Sequence, residues 1–199
     1  MKNKFIIGIG GPCGSGKSTF TKIFSGFLNI QLIDEPIPKD ILDAFESNPS
    51  TYSFSLQEAI IKGKIQGVDK LNNSKTILFD RTIEEDREVF FKLHNNLGFL
   101  NNDELLKLIS ISKNAENHIG KLNKLILLTA RPDILIQRIK NDNNHIRPSW
   151  LVDSMTEQIK LYSEWDTFQN PDNIKIDTSE MTIADLKIFA KKIYGELDL

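Results

Sequence analysis

The segment Gly11-Pro12-Cys13-Gly14-Ser15-Gly16-Lys17-Ser18-Thr19 follows the apolar run Phe5-Ile6-Ile7-Gly8-Ile9, and it constrains this chain more than any other feature. It fills every position of the pattern G-x-x-x-x-G-K-[ST], which works only as the turn between a β-strand and the helix after it. Glycines at 11, 14 and 16 let the backbone turn its N–H groups inward around phosphate oxygens. A helix opening near Lys17 aims the positive end of its dipole at the same charge. Gly11, Gly14, Ser15, Gly16, Lys17, Ser18 and Thr19 therefore form a candidate cradle for a nucleoside triphosphate such as ATP. The Lys17 ammonium would reach the β- and γ-phosphates, and the Ser18 hydroxyl would hold Mg²⁺.

A chain of 199 residues suffices for one well-buried core and is short for two, so a single domain over residues 1–199 is expected. With 40% hydrophobic and 26% charged residues the composition is that of a soluble globular domain. A net charge of −2 offers no global attraction to nucleic acid or to an anionic membrane. No apolar run approaches a membrane span, and Met1-Lys2-Asn3-Lys4 runs into the first strand without a signal segment. The single cysteine, Cys13, rules out an internal disulfide and suits a reducing compartment, so a cytoplasmic location is expected. Cys13 occupies a position that the loop pattern leaves free and reads as a small spacer. His94, His118 and His145 lack ligand spacing and read as structural or solvated.

Short apolar or β-branched runs predict strands at residues 5–9, 30–33, 76–79, 124–128 and 173–176. Helical patterns fill the gaps: 17–28, two helices between 37 and 71, two between 83 and 119 parted near Gly98, one opened by Pro132, one from about Trp150 to Phe168, and a last one from about Ala184. Residues 141–148 form a polar loop. This alternation implies an α/β fold with a five-stranded parallel sheet and helices on both faces. In such a sheet the ligand lies at the carboxyl ends of the strands.

Those ends carry chemistry. Asp34-Glu35-Pro36 follows the second strand, Asp80-Arg81-Thr82 the third, and Thr129-Ala130-Arg131 the fourth. Asp80 is placed for the magnesium side. A carboxylate of Asp34-Glu35 can take the proton of an attacking hydroxyl; Glu35, fixed by Pro36, is the stronger candidate. Arg81 suits the charge of a transferring phosphoryl group, or else pairs structurally with Asp80 or Glu84.

From the first strand to about Trp165 the chain resembles the deoxynucleoside kinase family, most closely its bacterial deoxyadenosine/deoxyguanosine kinase branch. The resemblance is carried by Glu35-Pro36, Asn48-Pro49-x-x-Tyr52-x-Phe54-x-Leu56-Gln57, Asp80-Arg81-Thr82-x-x-Glu85-Asp86-x-x-x-Phe90-Phe91 and a weaker Tyr162-x-x-Trp165. It implies a P-loop kinase fold with a short lid near residues 138–149. It also implies ATP and Mg²⁺ as cofactors, and transfer of a γ-phosphoryl group to the 5′-hydroxyl of a deoxynucleoside, expected to be a purine. Glu35 would be the base with Arg81 beside it, Asp80 would hold Mg²⁺ through water, and Gln57 and Asp86 would meet the nucleobase. The family is commonly dimeric, so a homodimer is implied, with neither nucleic acid nor membrane as partner.

The departures are specific. Lys64 stands where the family usually has an arginine paired with Asp86, and Glu46 where a tyrosine usually meets the sugar. Asp142 and Asn144 replace two lid arginines, leaving Arg138 and Arg147 as lid cations, with Arg147 near the position of a sugar-binding glutamate. Glu46 is thus expected to replace the missing sugar contact, and Arg147 to serve the phosphates. A monophosphate kinase of the thymidylate type, a kinase of a sugar or vitamin, and a nucleotide-binding protein with degraded activity are the alternatives.

Overall fold

The strands β1 (Phe5–Gly10), β2 (Gln31–Ile33), β3 (Thr76–Asp80), β4 (Lys124–Thr129) and β5 (Ile174–Asp177) form one parallel sheet in the order β2-β3-β1-β4-β5. The structure, a computed structural model, describes residues 4–28, 31–34, 37–71, 76–142, 149–165 and 173–197. Side chains alternate across a strand, and β1 shows what that alternation accomplishes. Ile7 and Ile9 are fully buried on one face. On the other face Gly8 and Gly10 leave room for the turn after β3: a Cβ on Gly8 would lie 2.1 Å from Thr82 Cγ2, and one on Gly10 would lie 2.9 Å from Glu85 Oε2. The Ile-Gly alternation of the central strand thus admits a polar turn against the sheet, next to the phosphate loop.

Helices α1 (Lys17–Leu28) and α10 (Ile183–Glu196) cover the isoleucine face, where Phe20, Phe24, Leu186 and Ala190 pack on Ile7, Ile9, Ile126 and Leu128. Helices α3 (Pro49–Asp69), α5 (Phe91–Asn96) and α6 (Asn102–Ile119) cover the other, where Ile61, Phe91 and Leu108 meet Ile6, Ile77 and Phe79. Each fully buried aliphatic side chain contributes about 1.5–3 kcal/mol, so the two layers, more than helix propensity, hold these helices in place. Asn48 caps α3, accepting from the Thr51 N–H at 3.2 Å, with Pro49 in the first turn. Helix α2 (Lys39–Ser47) precedes it, and α7 (Pro132–Lys140) opens on its proline as the sequence predicts.

Two segments differ from expectation. The helix after β3 is not uniform: α4 (Ile83–Glu85) passes into a π-helical turn, Asp86–Phe90, before α5, and the Phe91 N–H bonds to the Asp86 carbonyl. Such turns carry one extra residue and recur at functional sites. The helix expected from Trp150 to Phe168 is two, α8 (Ser149–Asp153) and α9 (Met155–Glu164), parted at Ser154. Phe168 lies outside the described residues. Among them, no helix is long and apolar enough to cross a membrane.

Candidate active site

The loop between β1 and α1 is held from outside by its carbonyls. Arg138 on α7 donates to the Gly14 carbonyl (3.3 Å) and to Thr178 Oγ1 and O (3.0 and 2.7 Å), and the Thr178 hydroxyl donates to the Ser15 carbonyl (2.9 Å). Gln158 on α9 accepts from the Cys13 N–H at 2.9 Å. Gly14 has φ +81°, and a Cβ there would lie 2.8 Å from the Leu135 carbonyl, so both backbone and space require glycine. Cys13 packs half-buried against Leu135 and Met155, in keeping with a spacer. The Gly11, Cys13 and Ser15 N–H groups are taken by Glu85, Gln158 and the Pro12 carbonyl, so the amides offered to phosphate are those of Gly14 and Gly16, joined by those of the first turn of α1, which have no intrahelical partner.

The residues fit a nucleotide and its metal. Lys17 is buried at the loop, Ser18 and Thr19 are exposed, and Ser15 Oγ is buried with no protein partner among the described residues. Asp80 ends β3 in register with Ile9, the residue before the loop's glycine pair. A hydroxyl and a carboxylate are hard oxygen donors of the kind Mg²⁺ takes. No group of three or more His, Cys, Asp or Glu able to hold an ion occurs among the described residues, so an ion here would draw further ligands from phosphate and water. A cavity of about 690 Å³ opens beyond Thr178, lined by Arg131, Asp177, Ser179, Glu180, Asp185 and Phe189.

On the other side of the loop lies a buried ionic centre. Arg81 adopts φ +65°, rare for a residue with a side chain, and its N–H donates to the Ile9 carbonyl at 3.0 Å. Its guanidinium lies 3.3 Å from Glu85 Oε1, 3.3 Å from the Tyr162 hydroxyl and 4.2 Å from the centre of the Phe90 ring. Glu85, fully buried, also accepts from the Tyr162 hydroxyl, from the Gly11 N–H (2.9 Å) and, closing a capping box with Thr82, from the Thr82 N–H. Burial, with the Glu85 carboxylate beside it, holds the Tyr162 phenol well above its usual pKa, so it stays a donor. The sequence offers Asp80 or Glu84 as a structural partner for Arg81; the fold sets Glu85 against the guanidinium.

Helix α3 brings a second buried ion pair, Lys64 with Asp86 of the π turn, their side chains 0% and 2% exposed. The sequence marks Lys64 as a departure, standing where the family usually has an arginine paired with Asp86. Two turns before Lys64 on the same face of α3, Gln57 is 3% exposed, and its Nε2 lies 3.4 Å from His94 Nδ1, which also meets Ser53 Oγ at 2.7 Å. His94, 3% exposed, lies between these two side chains of α3 and the rings of Phe45, Phe99 and Trp150. His118 is exposed and paired with Asp69. Glu46 is exposed on α2, beside the inward-facing Phe45, and Asp34 is exposed after β2. Glu35, Asn144, His145 and Arg147 lie outside the described residues, so the expected base and one lid cation are not placed. Asp142 is half-buried just beyond α7.

Sequence reasoning places Glu85 and Tyr162 in motifs without giving them a role, and it passes over Gln158 and Ser53. The spacing Thr82-x-x-Glu85 is the available signal for the first, being that of a capping box. Gln158 and Ser53 have no local signal, because their partners lie 145 and 41 residues away.

A parallel sheet of this order with a phosphate loop after its central strand defines a P-loop phosphotransferase. The sequence profile of the deoxynucleoside kinase family matches residues 7–195. The chain belongs to the deoxynucleoside kinase family, whose reaction is the ATP-dependent phosphorylation of deoxynucleosides. It is 25% identical over 170 residues to the deoxyguanosine kinase of Lactobacillus johnsonii, covering 80% of this chain and 75% of that one. It is 26% identical over 161 residues to the deoxyadenosine kinase of Dictyostelium discoideum, covering 80% of this chain and 65% of that one. Its fold matches the structure of deoxyadenosine kinase from M. mycoides with bound dCTP at a TM-score of 0.76 and 18% identity, over 97% of this chain and 100% of the other.

Proposed function

We propose that the protein transfers the γ-phosphoryl group of ATP to the 5′-hydroxyl of a purine deoxynucleoside. The observation that carries this reading is that one buried carboxylate, Glu85, accepts from both the Gly11 amide of the phosphate loop and the Arg81 guanidinium. Donor loop and acceptor-side cation are thereby held at one fixed separation, which phosphoryl transfer needs because its catalysis is mostly positioning and charge. The purine rests on the similarity to deoxyguanosine and deoxyadenosine kinases.

In this reading the loop residues and Lys17 hold the donor phosphates, and Ser18 and Asp80 hold Mg²⁺. Bound there, Mg²⁺ would neutralise charge on the β- and γ-phosphate oxygens. Glu35 takes the proton of the 5′-hydroxyl as its oxygen bonds to phosphorus; the bond to the β–γ bridging oxygen breaks and ADP leaves. Arg81 stabilises charge at the reacting oxygens. Gln57 and the Lys64–Asp86 pair line the base pocket, and Glu46 serves the sugar. Arg147 acts as a lid cation, and Arg138 acts through the loop carbonyl it holds. The whole chain is one domain with its lid near 138–149. The cytoplasmic location rests on the lone Cys13, and a homodimer on the family resemblance.

The charge balance disfavours a monophosphate acceptor. Lys64 and Arg81 are each matched by a buried carboxylate, so this side of the pocket offers a phosphomonoester no surplus positive charge. The test is phosphoryl transfer from radiolabelled ATP with Mg²⁺ to the four deoxynucleosides and their monophosphates, with Glu35→Gln alongside. Turnover of nucleosides that Glu35→Gln abolishes is expected; turnover of monophosphates alone would refute the reading.

A further inference from the structure

His94 sits in a box of aromatic rings. Phe45 lies parallel to the imidazole with centroids 5.2 Å apart, and Phe99 and Trp150 meet it nearly edge-on at 5.9 and 6.0 Å. The open edge of the ring faces α3, where Ser53 Oγ and Gln57 Nε2 converge on Nδ1. Burial among these rings pushes the imidazole pKa down to about 4, so the ring is neutral near pH 7. A neutral imidazole has one nitrogen that accepts and one that donates.

Ser53 decides which is which. Its hydroxyl is fully buried, a buried hydroxyl donates where it can, and the acceptor the structure gives it is His94 Nδ1. With Ser53 as the donor, the lone pair is on Nδ1 and the proton on Nε2. The end of the Gln57 amide that meets Nδ1 must then be its NH₂ group, which leaves Oε1 turned elsewhere. That oxygen is buried and has no hydrogen-bond partner among the described residues. A buried acceptor left unmatched is costly, and a ligand that brings a donor relieves it.

We propose that His94 is a positioning residue for base selection: by holding the NH₂ of Gln57 it presents Oε1 to the acceptor pocket and so favours deoxynucleosides whose base carries an amino group, not a carbonyl, at C6 of a purine or C4 of a pyrimidine. This rests on the proposed reading that Gln57 lines that pocket. The exocyclic substituent at C6 of a purine or C4 of a pyrimidine projects beyond the ring edge and reaches the pocket wall first. An amino group there donates to Oε1. A carbonyl there sets two acceptors against each other, and turning the amide over to meet it would set Oε1 against the Nδ1 lone pair. One ring thus both favours the amino bases and penalises the oxo bases. Deoxyguanosine and deoxyadenosine kinases both stand among the relatives, so similarity does not make this choice.

The test compares kcat/KM for deoxyadenosine against deoxyguanosine, and for deoxycytidine against thymidine, at saturating ATP. The expected preference for the amino member of each pair is about tenfold to a hundredfold, the size of one unmatched buried acceptor. His94→Phe, which keeps an aromatic ring in the box, and Ser53→Ala are each expected to bring both ratios down by about tenfold. Nitrogen-15 NMR of the wild-type protein, with His94 assigned by its loss in His94→Phe, should show Nδ1 unprotonated and Nε2 protonated. A wild-type preference for the oxo bases, ratios unmoved in a folded variant, or a protonated Nδ1 would each overturn the proposal while leaving phosphoryl transfer to a nucleoside intact. Absence of turnover with every nucleoside would instead remove the reading beneath it, and the protonation state of Nδ1 would still decide the role of His94.

Discussion

Glu85 Oε1 accepts the Gly11 amide hydrogen at 2.9 Å across 74 residues of chain. The same oxygen receives Tyr162 and Arg81, so a single carboxylate ties the phosphate loop to a cation, to α9 and to the turn after β3. All the groups that converge on Glu85 are donors, and only an acceptor with a full charge serves them together.

Glu85→Gln puts an NH₂ group among those donors and takes the negative charge of Glu85 away from the buried Arg81 guanidinium. Stability should fall by about 3–5 kcal/mol, and kcat/KM by about a hundredfold or more. Thermal unfolding and steady-state kinetics on the same preparation check this. Wild-type kinetics in the folded variant would show that the clamp takes no part in the reaction.

Breaking the Lys64–Asp86 pair on one side takes a counter-charge away from the buried group that remains. Lys64→Met or Asp86→Leu should each cost about 3–5 kcal/mol, whereas the double variant should recover most of the loss. A double-mutant cycle in urea measures it; additive losses would mean the two groups do not act as a pair.

Arg138→Ala removes the bonds that pin the Gly14 carbonyl to Thr178. The KM for ATP should rise about tenfold while the KM for the nucleoside holds, since the loop faces only the donor. Equal increases in both constants would assign Arg138 a wider role than loop support.

His94 gives the stability a pH dependence of known sign. Its folded pKa, about 4, lies below the ordinary 6.5, so between those values the unfolded chain binds a proton that the folded protein does not. Its contribution is complete above pH 6.5 and is lost as pH falls toward 4, at about 1.4 kcal/mol per pH unit. Denaturation midpoints measured from pH 4 to 7 should be less steep in His94→Phe than in the wild type.

Much of the frame is readable in the sequence because it is local. The phosphate loop, each of the strands and the opening of α7 at Pro132 are written in consecutive residues, and the structure keeps them within a residue or two. The pairing of Lys64 with Asp86 comes from resemblance and not from spacing. What escapes is set by geometry at a distance. In sequence the acids nearest Arg81 are its natural partners, but its positive φ turns the chain so that Glu85, one helical turn on, receives the guanidinium. The glycines of β1 read only as part of an apolar run, yet they serve to admit Thr82 and Glu85 against the sheet. His94 carries no metal spacing, and its importance appears only when α3 and α5 are laid side by side. The break at Ser154 has no proline or glycine to announce it.

The π turn at Asp86–Phe90 sets a limit on how this chain can change over evolutionary time. A π turn fits one more residue into the span of an ordinary turn, so deleting one there would restore an α-helix while the residues beyond it keep their orientation. Inside the turn Asp86 would shift against Lys64 and Phe90 against the Arg81 guanidinium, while His94 beyond it would stay beside Gln57. A length change confined to this turn should therefore alter the surroundings of Lys64 and Arg81 without unseating α5, whereas one in the ordinary helix beside it would turn α5 out of register by about 100° per residue.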